Sequence, residues 1–166
     1  MSRFKLIAFI ALITLAFGVA PVGDALGGEK IKVRTVWYRV KAEVVNVPGE
    51  EGRIFFNAED RGIMTVLQGS KLLDGMALFN VFVLDMNTKT GTGSGHGAIE
   101  CTDRDGDKIY TTYEAKGVKG LWSGPWDFVR GTGKFEGLKG KATWSAVNVN
   151  PSQHYSDCEG ELEWSR

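Results

Sequence analysis

The stretch GTGKFEGLKGKATW, Gly131 to Trp144, sets four glycines, at 131, 133, 137 and 140, around a single aromatic side chain, Phe135. Glycine accepts positive φ and close approach of other backbone, so a run this dense reads as a tight corner between strands rather than as the middle of one. Directly after it, Ala142, Trp144 and Ala146 alternate with Thr143 and Ser145, the period of a half-buried strand. The expectation is a connection whose Phe135 plugs the end of a sheet. No catalytic constellation of comparable strength stands elsewhere in the chain, so architecture is more legible here than activity.

Outward from that corner, short runs of alternating apolar and polar residues predict strands near 30–47, 53–58, 62–68, 76–85, 93–102, 108–116, 122–129, 141–149 and 157–164. The last is the cleanest: Cys158, Gly160, Leu162 and Trp164 share one face, Glu159, Glu161 and Glu163 the other. In the first run Ile31 and Val33 are apolar at odd positions, but Val36, Tyr38, Val40, Ala42 and Val44 continue at even ones. A β-bulge near Arg34 to Val36 would account for the change of phase. Many short strands separated by Gly, Asp and Asn turns indicate an all-β sandwich or a closed barrel.

At the N-terminus, Arg3 and Lys5 precede an apolar run from Leu6 to Phe17, with small residues and Gly23-Asp24-Ala25 after it. This is the pattern of a secretory signal peptide over residues 1–25, too short for a comfortable membrane span, so residues 26–166 are expected as a single domain, secreted or periplasmic. Removing the leader takes Arg3, Lys5 and Asp24 from 20 basic and 20 acidic residues, leaving 18 against 19. A nearly neutral chain lacks the basic excess that nucleic acid demands and the polybasic cluster that would hold it to a membrane after cleavage.

Cys101 and Cys158 are the two cysteines, both in the exported part, and a single disulfide between them is expected. It would contribute about 4 kcal/mol on the unfolded-chain entropy argument. Of the two histidines, His154 falls in the loop that begins at Asn150-Pro151 and is expected to be solvated. His96 shares a strand face with Ser94, Ala98 and Glu100, but Glu100 is roughly 13 Å along the strand and forms no direct dyad with it. With a two-residue turn at Asp105-Gly106, Tyr113 falls opposite Ala98 and diagonal to His96, forming a polar cluster with Glu100 and Thr111. That hairpin also explains Asp103, Asp105 and Asp107, whose spacing does not fit a calcium loop. Glycines 91, 93, 95 and 97 alternate, and on one strand face they would allow sharp coiling of a barrel wall. No metal or cofactor is expected.

Glu51-Gly52, Arg61-Gly62, GTGSGHG at 91–97, Asp105-Gly106-Asp107 and above all GTGKFEG at 131–137 together resemble the allene oxide cyclase and dirigent-like barrel superfamily. The resemblance implies an eight-stranded antiparallel β-barrel, lipocalin-like in shape, with an apolar interior, and dimeric or trimeric assembly. It brings no catalytic residue with it.

Five tryptophans, with Phe79, Phe82 and Phe128, supply more large apolar surface than a small barrel core needs. Trp122 and Trp126 flank Ser123-Gly124-Pro125, read as a turn, and are expected at a cavity rim. His96, Tyr113, Trp126 and Trp144 are the candidate cavity residues. Three functions are consistent with these features: a non-catalytic exported barrel binding a small hydrophobic ligand, an isomerase or cyclase drawing on His96, Tyr113, Glu100 or Asp127, and a homo-oligomeric interaction module.

Overall fold

The computed structural model describes residues 28–165, so the leader peptide read over residues 1–25 lies outside the described residues. Eight strands follow one another: β1 (Glu29–Asn46), β2 (Arg53–Gln68), β3 (Ala77–Asn87), β4 (Thr92–Thr102), β5 (Lys108–Val118), β6 (Leu121–Gly131), β7 (Leu138–Asn150) and β8 (Gln153–Trp164). Each pairs antiparallel with the next, and β1 closes on β8 in a register running from Glu29 opposite Leu162 to Tyr38 opposite Gln153. Closure leaves every strand paired on both sides and so removes the exposed edges of an open sheet.

Two of the expected strands, 53–58 and 62–68, are one. Gly62 stays within β2, because the place its Cβ would occupy lies 2.7 Å from the Trp37 ring, and only glycine lets that indole lie against the wall. Ser123-Gly124-Pro125 is likewise not a turn but part of β6.

One end of the barrel is plugged. Short 3-10 turns at Lys71–Leu73 and Gly133–Phe135 fold Leu73 and Phe135 into it, and neither side chain retains exposure. Val33, Met64, Met76, Ile109, Leu138 and Leu162 pack around them. The corner at 131–140 works as its glycines suggested: Gly133 and Gly137 hold φ of 54° and 78°, and Gly131 leaves room for the Phe135 carbonyl. The opposite end is open, and from Val40 to Asn46 every residue of β1 is exposed, whichever face it lies on.

β1 does change phase, but later than expected. Ile31, Val33, Thr35 and Trp37 all point inward, while Val36, Tyr38 and Val40 lie on the outer wall, 48%, 54% and 56% exposed. The irregularities in pairing with β2 fall at Lys32/Val33 and Arg39/Lys41, and only beyond the second does an even-numbered residue, Val44, turn toward the interior beside Phe56. Hydrophobicity misplaced the bulge because β-branched and aromatic residues favour strands on either face.

The β4–β5 hairpin corrects a second expectation. Its loop spans five residues, Asp103 to Asp107, with Thr102 opposite Lys108. The Asp103 carboxylate accepts the N–H groups of Asp105 and Asp107, each at 2.9 Å, and Gly106 takes φ 91°. The Lys134 ammonium bridges Asp103 and Asp105. Tyr113 therefore stands opposite Gly97, not Ala98. A one-residue difference in register reverses which side chains share a face, so Tyr113 and Thr111 point inward while His96 and Glu100 point out. Gly93, Gly95 and Gly97 line the inner face of β4, and the Tyr113 ring fills the space above Gly97, 2.5 Å from where a Cβ would sit.

The expected disulfide is not formed: Cys101 and Cys158 are free, buried thiols. They lie on β4 and β8, half the barrel circumference apart. Burial pushes both thiols up, that of Cys158 to about 12, so neither carries thiolate at neutral pH. Native protein should therefore not react with a thiol reagent, and denatured protein should titrate two groups. Titration of none after denaturation would show a disulfide instead.

Candidate functional site

The half of the barrel away from the Phe135 plug encloses a cavity of about 440 Å³ open at the far end. The inward positions of all eight strands line it, and six of them supply the large rings: Trp37 from β1, Phe56 from β2, Phe82 from β3, Tyr113 from β5, Trp122 and Trp126 from β6, and Trp144 from β7. Hydrogen bonds orient the rings. The Trp37 indole N–H donates to Thr35 Oγ1 at 2.8 Å, the Trp126 N–H to Thr111 Oγ1 at 2.7 Å, and the Trp144 N–H to the Glu114 carbonyl at 3.1 Å. Tyr113 meets Trp144 edge-on at 5.4 Å, and its hydroxyl donates to Asn80 Oδ1 at 3.2 Å. Burial holds the Tyr113 phenol protonated well above the usual tyrosine range.

One charged cluster interrupts this apolar wall. Asp60 has no exposed surface, and its two carboxylate oxygens accept Nε–H and Nη2–H of Arg39 at 3.0 and 3.3 Å. The Arg39 guanidinium lies over Phe56 and Phe82, 4.9 and 5.5 Å from the ring centroids. His154 stacks on Trp37 and brings Nε2 to 4.0 Å from Asp60 Oδ2. Burial lowers the His154 pKa from its usual value; the Asp60 charge opposes this and the Arg39 charge reinforces it. An imidazole that resists protonation when folded binds its proton at higher pH when unfolded. Its contribution to stability is thus complete above about pH 6.5 and is lost as pH falls below that value. Urea titrations across this range should show stability falling toward acid, with a shallower slope in His154→Gln.

Of the candidate cavity residues, Tyr113, Trp126 and Trp144 line the cavity together. His96 does not: it lies on the outer wall between Val83 and Glu114, in a groove with Glu43, Glu59 and Asp127. Glu100 is also outside, paired with Lys108 at 2.8 Å. Trp122 lies toward the open end, its ring against Gly117.

Arg39, Asp60 and His154 were not among the candidates. The signal for two of them was parity. His154 is in phase with Ser156, Cys158 and Leu162, and Arg39 with Val33, Thr35 and Trp37, both series facing inward. Because the β7–β8 turn occupies only Pro151 and Ser152, His154 is the second residue of a strand rather than part of a loop.

No family model matches the chain, and no curated protein matches it. Among solved structures it is similar to the pterocarpan synthase dirigent protein, with a TM-score of 0.49, 10% sequence identity, and an alignment covering 92% of this chain and 99% of that one.

Proposed function

We propose that the chain is an exported, non-catalytic barrel protein that binds one small apolar or aromatic molecule in its open-ended cavity. The observation that carries this reading is the contrast between the two halves of one barrel. Near Phe135 the interior is packed solid, whereas the other half keeps about 440 Å³ of space among aromatic rings, with the polar atoms of Trp37, Tyr113, Trp126 and Trp144 already bonded. That volume and lining suit a small ligand buried on most sides. Export rests on the leader-like pattern of residues 1–25. Mass spectrometry of the exported protein, native and then denatured, should release a stoichiometric small molecule. Absence of any such molecule, together with failure to take up apolar fluorescent probes, would refute the reading.

An isomerase of the allene oxide cyclase kind would require His96, Tyr113, Glu100 or Asp127 to converge inside the cavity. Only Tyr113 lines it, and the other three lie on the outer wall. Self-association has more support, because Val36, Tyr38 and Val40 of β1 are exposed on the outer wall, with the exposed Ile63 of β2 paired to Val36. Sedimentation equilibrium should then show a homo-oligomer, and Val36→Asp should shift it toward monomer.

A further inference from the structure

The guanidinium of Arg39 has five N–H groups. Asp60 takes two and the Pro151 carbonyl takes one, at 3.4 Å, leaving one N–H on each terminal nitrogen with no partner among the described residues. Guanidinium N–H groups are the strong, charge-assisted donors to carboxylates and related anions. These two donors belong to a side chain lying against Phe56 and Phe82, two walls of the cavity. Arg39 and Asp60 already neutralise each other, so a lone anion entering here would leave an uncompensated negative charge in a half-buried site.

The compensating group is in place. His154 Nε2 faces Asp60 Oδ2 at 4.0 Å, and a proton from solvent on that nitrogen would restore neutrality. The charged and titratable groups around the imidazole are Arg39 from β1, Asp60 from β2 and, across the cavity, the protonated Tyr113 from β5; from β7 its register partner is the uncharged Asn148.

Building on the ligand-binding reading above, we propose that the cavity selects aromatic acids: Arg39 anchors the anionic head group through its two free N–H groups, and His154 takes up one proton as the acid binds. The aromatic body lies among Trp37, Tyr113 and Trp144, and the proton comes from solvent. Uptake is therefore tightest on the acid side of neutrality, although the free acid partitions into any apolar site at low pH. A probe whose charge never changes removes that ambiguity.

Anilinonaphthalene sulfonate and N-phenylnaphthylamine share one ring system and differ in a sulfonate that stays ionised. Binding of both to the full protein should be measured between about pH 8 and pH 5.5, around the histidine range. The expected result is that the sulfonate probe tightens about tenfold toward acid while the neutral probe changes little. His154→Gln should flatten the sulfonate profile. Replacing the pair together, in Arg39→Met/Asp60→Val, should weaken the sulfonate probe about tenfold or more and leave the neutral one nearly unchanged. If neither probe binds the wild-type protein, the cavity reading itself fails. If the neutral probe binds and the sulfonate probe does not, or binds without pH dependence, only the selection of acids is overturned. Should the paired variant not fold, the wild-type and His154→Gln profiles decide.

Discussion

Phe135→Ala will lose about 3 to 5 kcal/mol of stability, enough to lower the melting temperature of a domain this size by about 10 °C. The ring is fully buried in the plugged end, among Ile109, Leu138 and Leu162, and is delivered there by a turn whose ends are held by other elements. Thr132 N–H donates to the Lys108 carbonyl on β5, and Ser165 N–H to the Gly137 carbonyl beyond β8. Those bonds fix the backbone of the corner, so the walls cannot collapse into the space left by the ring, and the deletion is costly for that reason. Urea denaturation monitored by tryptophan fluorescence measures it. A loss below about 1 kcal/mol would mean that Phe135 is not the plug.

Arg39→Met will cost a comparable amount, about 3 to 5 kcal/mol, by a different mechanism. It removes the only charge partner, among the described residues, that hydrogen-bonds to the Asp60 carboxylate, a group with no exposed surface. His154 cannot replace the guanidinium, because its Nε2 stands 4.0 Å away and burial disfavours its protonated form. Adding Asp60→Val should recover most of the loss, since replacing both members of a buried pair with apolar groups is far less damaging than orphaning one. The double-mutant cycle by chemical denaturation gives the coupling. If the single and double variants were equally unstable, Arg39 would act through its packing on Phe56 and Phe82 rather than through its charge.

These two residues also mark how far the fold and the site could be read from the chain. Phe135 was legible because everything it needs is local: glycines at 131, 133 and 137 that permit the turn, and one ring between them with no other place to go. The last strand was legible for the same reason, its glutamates alternating with Cys158 and Leu162. Arg39 was not, because an arginine in a strand is ordinarily an outward residue, and nothing near it in sequence shows that Asp60 awaits it inside. The hairpin lies between these cases. Asp105-Gly106 was correctly within a turn, but a five-residue loop in place of a two-residue one shifted the register by one position, moved Tyr113 into the cavity and left His96 outside.

The chain by itself determined the class of structure, the corner, the half-buried character of the strands and the aromatic supply, since turn preference and two-residue alternation act over a few positions. Register and closure depend on which strands meet, and they alone decided that Tyr113 and Trp144 would face each other, that Cys101 and Cys158 would lie half a barrel apart, and that Arg39, Asp60 and His154 would gather from three strands. A buried charge is tolerated only where a partner from elsewhere in the chain meets it, so its place can be read only after the barrel has closed.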